Sequence, residues 1–270
     1  MDTAQVTILI PNFKTLKLTM LCLDLIKKFT DLKRVRVIVI DNDSRDESVE
    51  YLRTLSWIML IERGADPNDS PPMAHARALD MGLEIVETPF VLSMHTDTFV
   101  KHNHWLDLLL TRMTASPEIA GVGSWKLEYK PLFKRLLKQV ESRIEEAYFQ
   151  FIGNETHFLE GKGKNFFYLR SHCALYRMDL ISRYQLRFAD QEETAGKIMH
   201  KKLVENGYQM IFLPSEELSR YMVHLNHATM ILNPELGTDR RSMAKGRRRI
   251  KKELRALGVD SIFSPDDFDI

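Results

Sequence analysis

Five apolar runs of five or six residues, each rich in Val, Ile or Leu, alternate with segments of helical period, and this alternation constrains the fold class more than any single motif. Residues 6–10 end at Pro11-Asn12, residues 35–40 at Asp41-Asn42-Asp43-Ser44, and residues 90–94 at His95-Thr96-Asp97; residues 57–61 and 119–123 are two further runs of this kind. Runs without polar alternation read as strands covered on both faces. Between them, residues 16–29 place Leu18, Leu21, Leu25 and Ile26 on one side and lysines on the other, the pattern of an amphipathic helix. Residues 47–55, 73–86 and 105–114 read as helices too, and the Ser44 hydroxyl or the Asp43 carboxylate is placed to cap the first of these. Strand–helix alternation at this spacing predicts βαβ units, a mostly parallel sheet and helices on both faces. Ligands of such sheets bind beyond the carboxyl ends of the strands, which is where the three polar clusters fall.

The second half is less regular. It predicts a long amphipathic helix over 132–151, a Gly/Lys loop at 160–165, an apolar-basic segment at 175–184, a helix over 195–206 stopped by Gly207, and a strand over 209–213 ended by Pro214. A basic helix over 239–257 precedes an acidic tail at 264–270. The expected organisation is one domain over 1–235, with a nucleotide-binding half to 125 and an acceptor half from 126, then a basic helical extension over 236–270. With 44% hydrophobic and 28% charged residues the chain is expected to be globular rather than disordered. Its formal charge of +1 conceals an asymmetry: nine Lys and Arg against one acid lie between Arg240 and Arg255, so the remainder is net acidic. That basic run has no interleaved aromatic residue, which argues against nucleic-acid binding and for a solvated face or contact with anionic lipid. Cys22 and Cys173 sit in apolar contexts and read as buried free thiols of a reducing compartment. The polar start, Met1-Asp2-Thr3, runs straight into a strand, so no signal peptide is expected, nor any membrane span, and a cytoplasmic location follows.

Mg²⁺ and Mn²⁺ take oxygen ligands, and Mn²⁺ also accepts imidazole. His95 and Asp97, at i and i+2 on a strand-end loop, are placed to hold such an ion against a diphosphate; the alternative is a turn in which Asp97 caps the next helix. Of Asp41 and Asp43, one is expected to cap a helix, leaving the other to accept a hydrogen bond from a base N–H or a ribose hydroxyl. Neither Gly-x-Gly-x-x-Gly nor Gly-x-x-x-x-Gly-Lys occurs, which argues against dinucleotide and P-loop sites. Asp190, Glu192 and Glu193 lie just before a helix and either compensate its dipole or supply a general base. His224 and His227, taken alone, read as packed or surface residues.

Six segments in order resemble the family 2 glycosyltransferases of the GT-A (Rossmann-like) fold. They are residues 6–13 with the Pro11-Asn12-Phe13 turn, residues 37–46 with Asp41-Asn42-Asp43-Ser44-Arg45-Asp46, residues 76–82 with Ala76-Arg77, residues 90–97 ending in His95-Thr96-Asp97, residues 173–177, and the series Glu192-Glu193, Gly207-Tyr208, residues 211–214 and His224. Two positions depart from the family's pattern: His95 stands where its first metal-loop aspartate is usual, and the acidic pair is Glu-Glu rather than Glu-Asp.

The resemblance implies a nucleotide-sugar donor, a UDP-sugar by preference, and transfer to an acceptor hydroxyl with inversion, in glycan or cell-surface polysaccharide synthesis on a glycan or lipid-linked acceptor. It assigns Pro11, Asn12, Phe13, Asp41, Asp43, Arg77 and Thr96 to the nucleotide, with Asp41 at the base. Asp97, His95 and His224, with His227 as substitute, would hold Mn²⁺ or Mg²⁺, and Glu193, or else Glu192 or Asp190, would be the base. Peripheral membrane contact through 240–255 would suit a lipid-linked acceptor. Two other readings compete: a GT-A-fold module that binds a nucleotide or glycan without catalysis, favoured by His95, and a nucleotidyltransferase, disfavoured by the absence of glycine in the first loop.

Overall fold

A computed structural model describes residues 4–127, 161, 163–226, 228–233 and 240–259 of the protein. The expected helix over 132–151, the acidic tail and His227 lie outside the described residues. The first half alternates as its sequence demands. β1 (Val6–Asn12), β2 (Val35–Asp41), β3 (Met59–Glu62) and β4 (Phe90–Met94) pair in parallel, and α1 (Leu16–Phe29), α2 (Ser48–Arg53) and α3 (Pro71–Leu83) connect them. Then β5 (Thr98–Val100) leaves the sheet, and α4 (Trp105–Met113) leads to β6 (Ile119–Gly123). After β7 (Cys173–Arg177) come α5 (Met178–Arg183), α6 (Lys197–Glu205), β8 (Gln209–Phe212) and α7 (Ser215–Leu218). Last come β9 (Met222–His224), α8 (Ala228–Leu232) and α9 (Arg240–Ala256).

The main sheet runs β3-β2-β1-β4-β7-β6-β8, parallel throughout except for β7, which is antiparallel to β4 and β6. Successive strand residues face opposite sides, so Ile8, Val37 and Leu92 join a core with α1 and α4, whereas Leu9, Ile38 and Val91 join one with α3, α5 and α6. Chain order runs outward from β1 to β3 on one side and on through β4 on the other, which makes the β1/β4 boundary the switch point where such sheets bind ligands. Gly207, at φ +86°, ends α6 as its sequence predicts.

The capping expectation at 43–44 is corrected. The backbone N–H of Ser48 is capped by the Asp46 carboxylate at 3.0 Å, because Ser44 is drawn back to Asp41 and Asn12, and Asp43 pairs with Arg45 at the surface. The basic helix α9 is more than a solvated rod: Gly246, Ile250 and Leu254 are buried, and Ile250 and Leu254 join the core cluster of α1 and α4. Both cysteines are buried free thiols, and burial pushes Cys173 up to about 12.

The antiparallel β7 brings its amino end to the edge where its neighbours have their carboxyl ends. Gly123 pairs with Ala174 there, and a Cβ on Gly123 would lie 2.5 Å from the Cys173 carbonyl oxygen and 3.1 Å from the Ala174 Cα. Backbone cannot swing aside as a flexible side chain can. Gly123→Ala is therefore expected to destabilise the protein by about 1–3 kcal/mol, read from denaturant midpoints. Wild-type stability in this variant would show that β6 and β7 do not approach so closely.

Candidate active site at the carboxyl edge of the sheet

His95 follows β4 directly, and Thr96-Asp97 carries the chain into β5. The β5–β9 pairing sets Thr98 opposite His224, so a histidine far along the chain arrives beside Asp97. Asp97 Oδ1 lies 3.1 Å from His224 Nε2 and 3.7 Å from His95 Nδ1. Its other oxygen, Oδ2, accepts the Ala228 N–H at 3.1 Å, and its backbone carbonyl accepts the Leu225 N–H at 2.9 Å. Asp97 thus does cap a helix, but the helix is α8 rather than the next in sequence.

Asp97 Oδ1 and both ring nitrogens of His224 are buried without a hydrogen-bond partner. Leaving such groups unsatisfied costs on the order of 1–3 kcal/mol each. One ligand atom from each of His95, Asp97 and His224 lies within 4.8 Å of the others. Two imidazoles and one carboxylate with converging ligand atoms fit a divalent cation. Burial opposes the charge on Asp97, but His224 and His95 nearby and the Ala228 amide hold its carboxyl well below the usual range. Burial, then neighbouring rings, keep His95 and His172 well below the ordinary imidazole range, and burial brings His75 to about 4.

Asn12, Asp41 and Ser44 form one buried cluster. Asp41 Oδ1 accepts from the Asn12 amide at 2.7 Å and from the Ser44 hydroxyl at 2.5 Å, and Oδ2 accepts the Ser44 N–H at 3.0 Å. Thr19 donates to Oδ1 of the Asn12 side chain at 2.6 Å. The hydroxyls of Thr15 and Thr96 meet at 3.2 Å, joining this loop to the one that carries Asp97. Pro11 is buried and Phe13 half-buried beside the cluster. Arg77 is exposed and pairs with Asp69 at 2.7 Å and Asp66 at 3.1 Å, while the buried Asp69 also holds Arg63, which donates to Asn42 at 2.6 Å.

The acidic cluster is braced separately. Lys197 lies 2.8 Å from Glu193 and Lys202 lies 2.6 Å from Asp190, both lysines belonging to α6; Glu192 is exposed, with φ of +54°. Residues with no local signal in the sequence stand behind these groups. Ser171, His172, His75 and Ser124 stand behind the histidines, Arg63 and Asp69 behind Arg77, and Asp80 behind the acidic loop. Asp80, on α3, accepts the N–H groups of Phe188 at 2.6 Å and Ala189 at 3.0 Å.

A mostly parallel sheet that gathers a carboxylate–imidazole cluster and a strand-end aspartate at its switch point has the architecture of the GT-A fold. The chain belongs to glycosyl transferase family 2, whose sequence profile matches residues 7–185. No curated protein sequence matches it. Among solved structures it is similar to the mannosyltransferase PcManGT from Pyrobaculum calidifontis in complex with GDP-Man and Mn²⁺, with a TM-score of 0.58 and 17% identity over 98% of this chain and 66% of that one. It is also similar to S. aureus TarS 1-349, with a TM-score of 0.54 and 14% identity over 94% of this chain and 74% of that one. A structure of TarS 1-349 in complex with UDP-GlcNAc gives a TM-score of 0.52 and 14% identity over 93% of this chain and 66% of that one. At these identities the likeness is one of fold, and the chain spans just under two thirds of the mannosyltransferase.

Burial pushes the Asp80 carboxyl up to about 6, outweighing the pull of the Phe188 and Ala189 amides and of Arg187. A carboxyl whose folded pKa exceeds its unfolded value contributes stability that is full below the unfolded value and is lost as pH rises through the folded one. The stability of the wild type relative to Asp80→Asn should therefore rise between about pH 7 and about pH 5, as read by urea unfolding. A difference that does not vary with pH would mean that Asp80 ionises like an exposed carboxylate.

Proposed function

We propose that this chain moves a sugar from a nucleoside diphosphate, UDP by preference, to an acceptor hydroxyl in a single in-line displacement that inverts the anomeric carbon. The convergence of His95, Asp97 and His224 next to the Asn12–Asp41–Ser44 cluster in a family 2 chain carries this reading. Asp41 uses three of a carboxylate's roughly four acceptor positions, which leaves Oδ2 able to accept a base N–H. Pro11, Asn12 and Phe13 wall the nucleotide and Thr96 ties that wall to the metal loop; Arg77 and Asp43 lie farther out, in surface ion pairs. His95, Asp97 and His224 would hold Mn²⁺ or Mg²⁺, which when bound offsets the charge that grows on the leaving diphosphate. Glu193 is assigned as the base that takes the acceptor's proton, with Glu192 and Asp190 as its alternatives in the same turn.

Calorimetry with UDP, GDP and dTDP, each with and without Mn²⁺, tests this. One diphosphate should bind in the micromolar range, Mn²⁺ should tighten it, and Asp97→Ala should abolish the tightening. Glu193→Gln should leave that binding intact while lowering donor turnover about 10²–10⁴-fold. No binding of any diphosphate would sink the transferase reading. Binding without turnover across potential acceptors would favour a module that only recognises its ligand.

The acceptor is proposed to be a glycan or a lipid-linked molecule. None of the described helices is long and apolar enough to cross a membrane. Contact with a membrane surface would therefore run through α9, where Lys245, Arg248 and Lys252 are exposed along one side while Ile250 and Leu254 face the core. Each basic side chain at an anionic surface contributes about 1 kcal/mol. Lys245→Glu, Arg248→Glu and Lys252→Glu together should weaken binding to phosphatidylserine vesicles by more than about tenfold. Unchanged vesicle binding would remove this part of the reading.

A further inference from the structure

Ser171 and His172 immediately precede β7 and lie at the same edge as the three candidate ligands. The Ser171 hydroxyl stands 3.0 Å from His95 Nε2 and 3.2 Å from His75 Nε2. A serine has one proton, so it can accept from one ring and donate to the other. If His95 Nε2–H donates to Ser171 and Ser171 donates to His75, His95 Nδ1 keeps its lone pair facing Asp97 Oδ1 at 3.7 Å. That separation is too long for a hydrogen bond. It is close to the roughly 3–3.5 Å between two ligand atoms that each lie about 2.1 Å from one ion. The His75 and His95 rings also meet edge-on, with centroids 4.7 Å apart, which fixes the plane of His95.

His224 Nε2 pairs with Asp97 Oδ1 at 3.1 Å, and its Nδ1 has no hydrogen-bond partner to fix the plane of the ring. Its ring instead stacks on His172, with centroids 4.7 Å apart and planes within 20°. His172 is anchored in turn: its Nε2 lies 2.8 Å from the Ser124 hydroxyl, and its carbonyl accepts the Thr98 hydroxyl at 3.1 Å. Adjacent residues thus each hold one imidazole, Ser171 by a hydrogen bond and His172 by stacking.

We propose that Ser171 and His172 are the positioning residues of the His95–Asp97–His224 centre, and that by presenting two imidazoles beside one carboxylate they make it a site for Mn²⁺ in preference to Mg²⁺. This rests on reading those three residues as a cation site. Mg²⁺ demands a near-complete oxygen shell, whereas Mn²⁺ binds imidazole more readily. Partners that orient metal-bound histidines are worth about 10- to 100-fold in affinity.

The test is Mn²⁺ binding to the full chain, followed by the electron paramagnetic resonance signal of free Mn²⁺, with Mg²⁺ as competitor. Mg²⁺ should displace Mn²⁺ from the wild type only in large excess. Ser171→Ala should weaken Mn²⁺ about 10- to 100-fold, and Ser171→Thr, which keeps the hydroxyl, should restore most of the loss. In a His95→Asp background Ser171→Ala should have no further effect, because no ring remains for it to orient, and Mg²⁺ should then compete effectively. His172→Ala should weaken Mn²⁺ in both backgrounds, since it acts through His224. A wild-type titration for Ser171→Ala, an equal loss in the His95→Asp background, or equal competition by Mg²⁺ against the wild type would overturn the proposal. A wild-type chain that binds no Mn²⁺ would instead overturn the cation reading itself.

Discussion

A carboxylate taken out of water must be matched, and most of the active edge is built around matching Asp97. It is 4% exposed, and the groups that face its Oδ1 are the imidazoles of His224 and His95 rather than a Lys or Arg. One carboxyl oxygen and the backbone carbonyl take N–H groups from Ala228 and Leu225, so a residue of the first half holds the turn that starts α8. α9 closes the same turn from outside, its Arg249 guanidinium donating to the carbonyls of Leu225 and Asn226. The remaining oxygen faces His224 Nε2 at 3.1 Å, and no other hydrogen bond satisfies either atom. A fold seldom buries donors and acceptors without partners, and it does so where a ligand completes them.

The sheet makes this arrangement possible through a single reversal. Parallel strands present only their carboxyl ends to a binding edge, and those supply Asn12, Asp41 and His95. Running β7 the other way between β4 and β6 brings an amino end to the same edge and adds Ser171 and His172. The small β5–β9 sheet then lays His224 across from Thr98. Residues from five separated stretches of chain meet there.

These origins explain what could be read from the sequence. Continuous apolar runs and helical periods are local, so β1, α1, β2 and β4 are legible in the sequence, as are the clusters that end the three strands. His95 and Asp97 were legible for the same reason, and His224 through family resemblance. Ser171 and His172 were not, because nothing local says that β7 is antiparallel, and only its direction makes its first residues part of the site. At three residues each, β5 and β9 are too short to carry a period. Ser44 was misread as a cap because the competing acceptor, Asp41 together with Asn12 from β1, is a tertiary partner. The basic run within α9 reads from the sequence as a helix with a solvated or lipid-facing side, whereas Ile250 and Leu254, spaced four apart within it, are what tie it to the core.

His95 also changes the electrostatics of the edge. Two carboxylates a few ångströms apart in a buried place repel, and each raises the other's pKa. With an imidazole in one of those places the charge to be neutralised is halved, so the ligands can stay assembled without a cation at less cost. The same change weakens the pull on a hard ion, and a ring has a direction that a carboxylate lacks. A site that trades charge for orientation depends on whatever fixes its rings. That gives a physical reason for the layer of hydroxyls and histidines behind it: Ser171 on His95, Ser124 on His172, and His172 flat against His224.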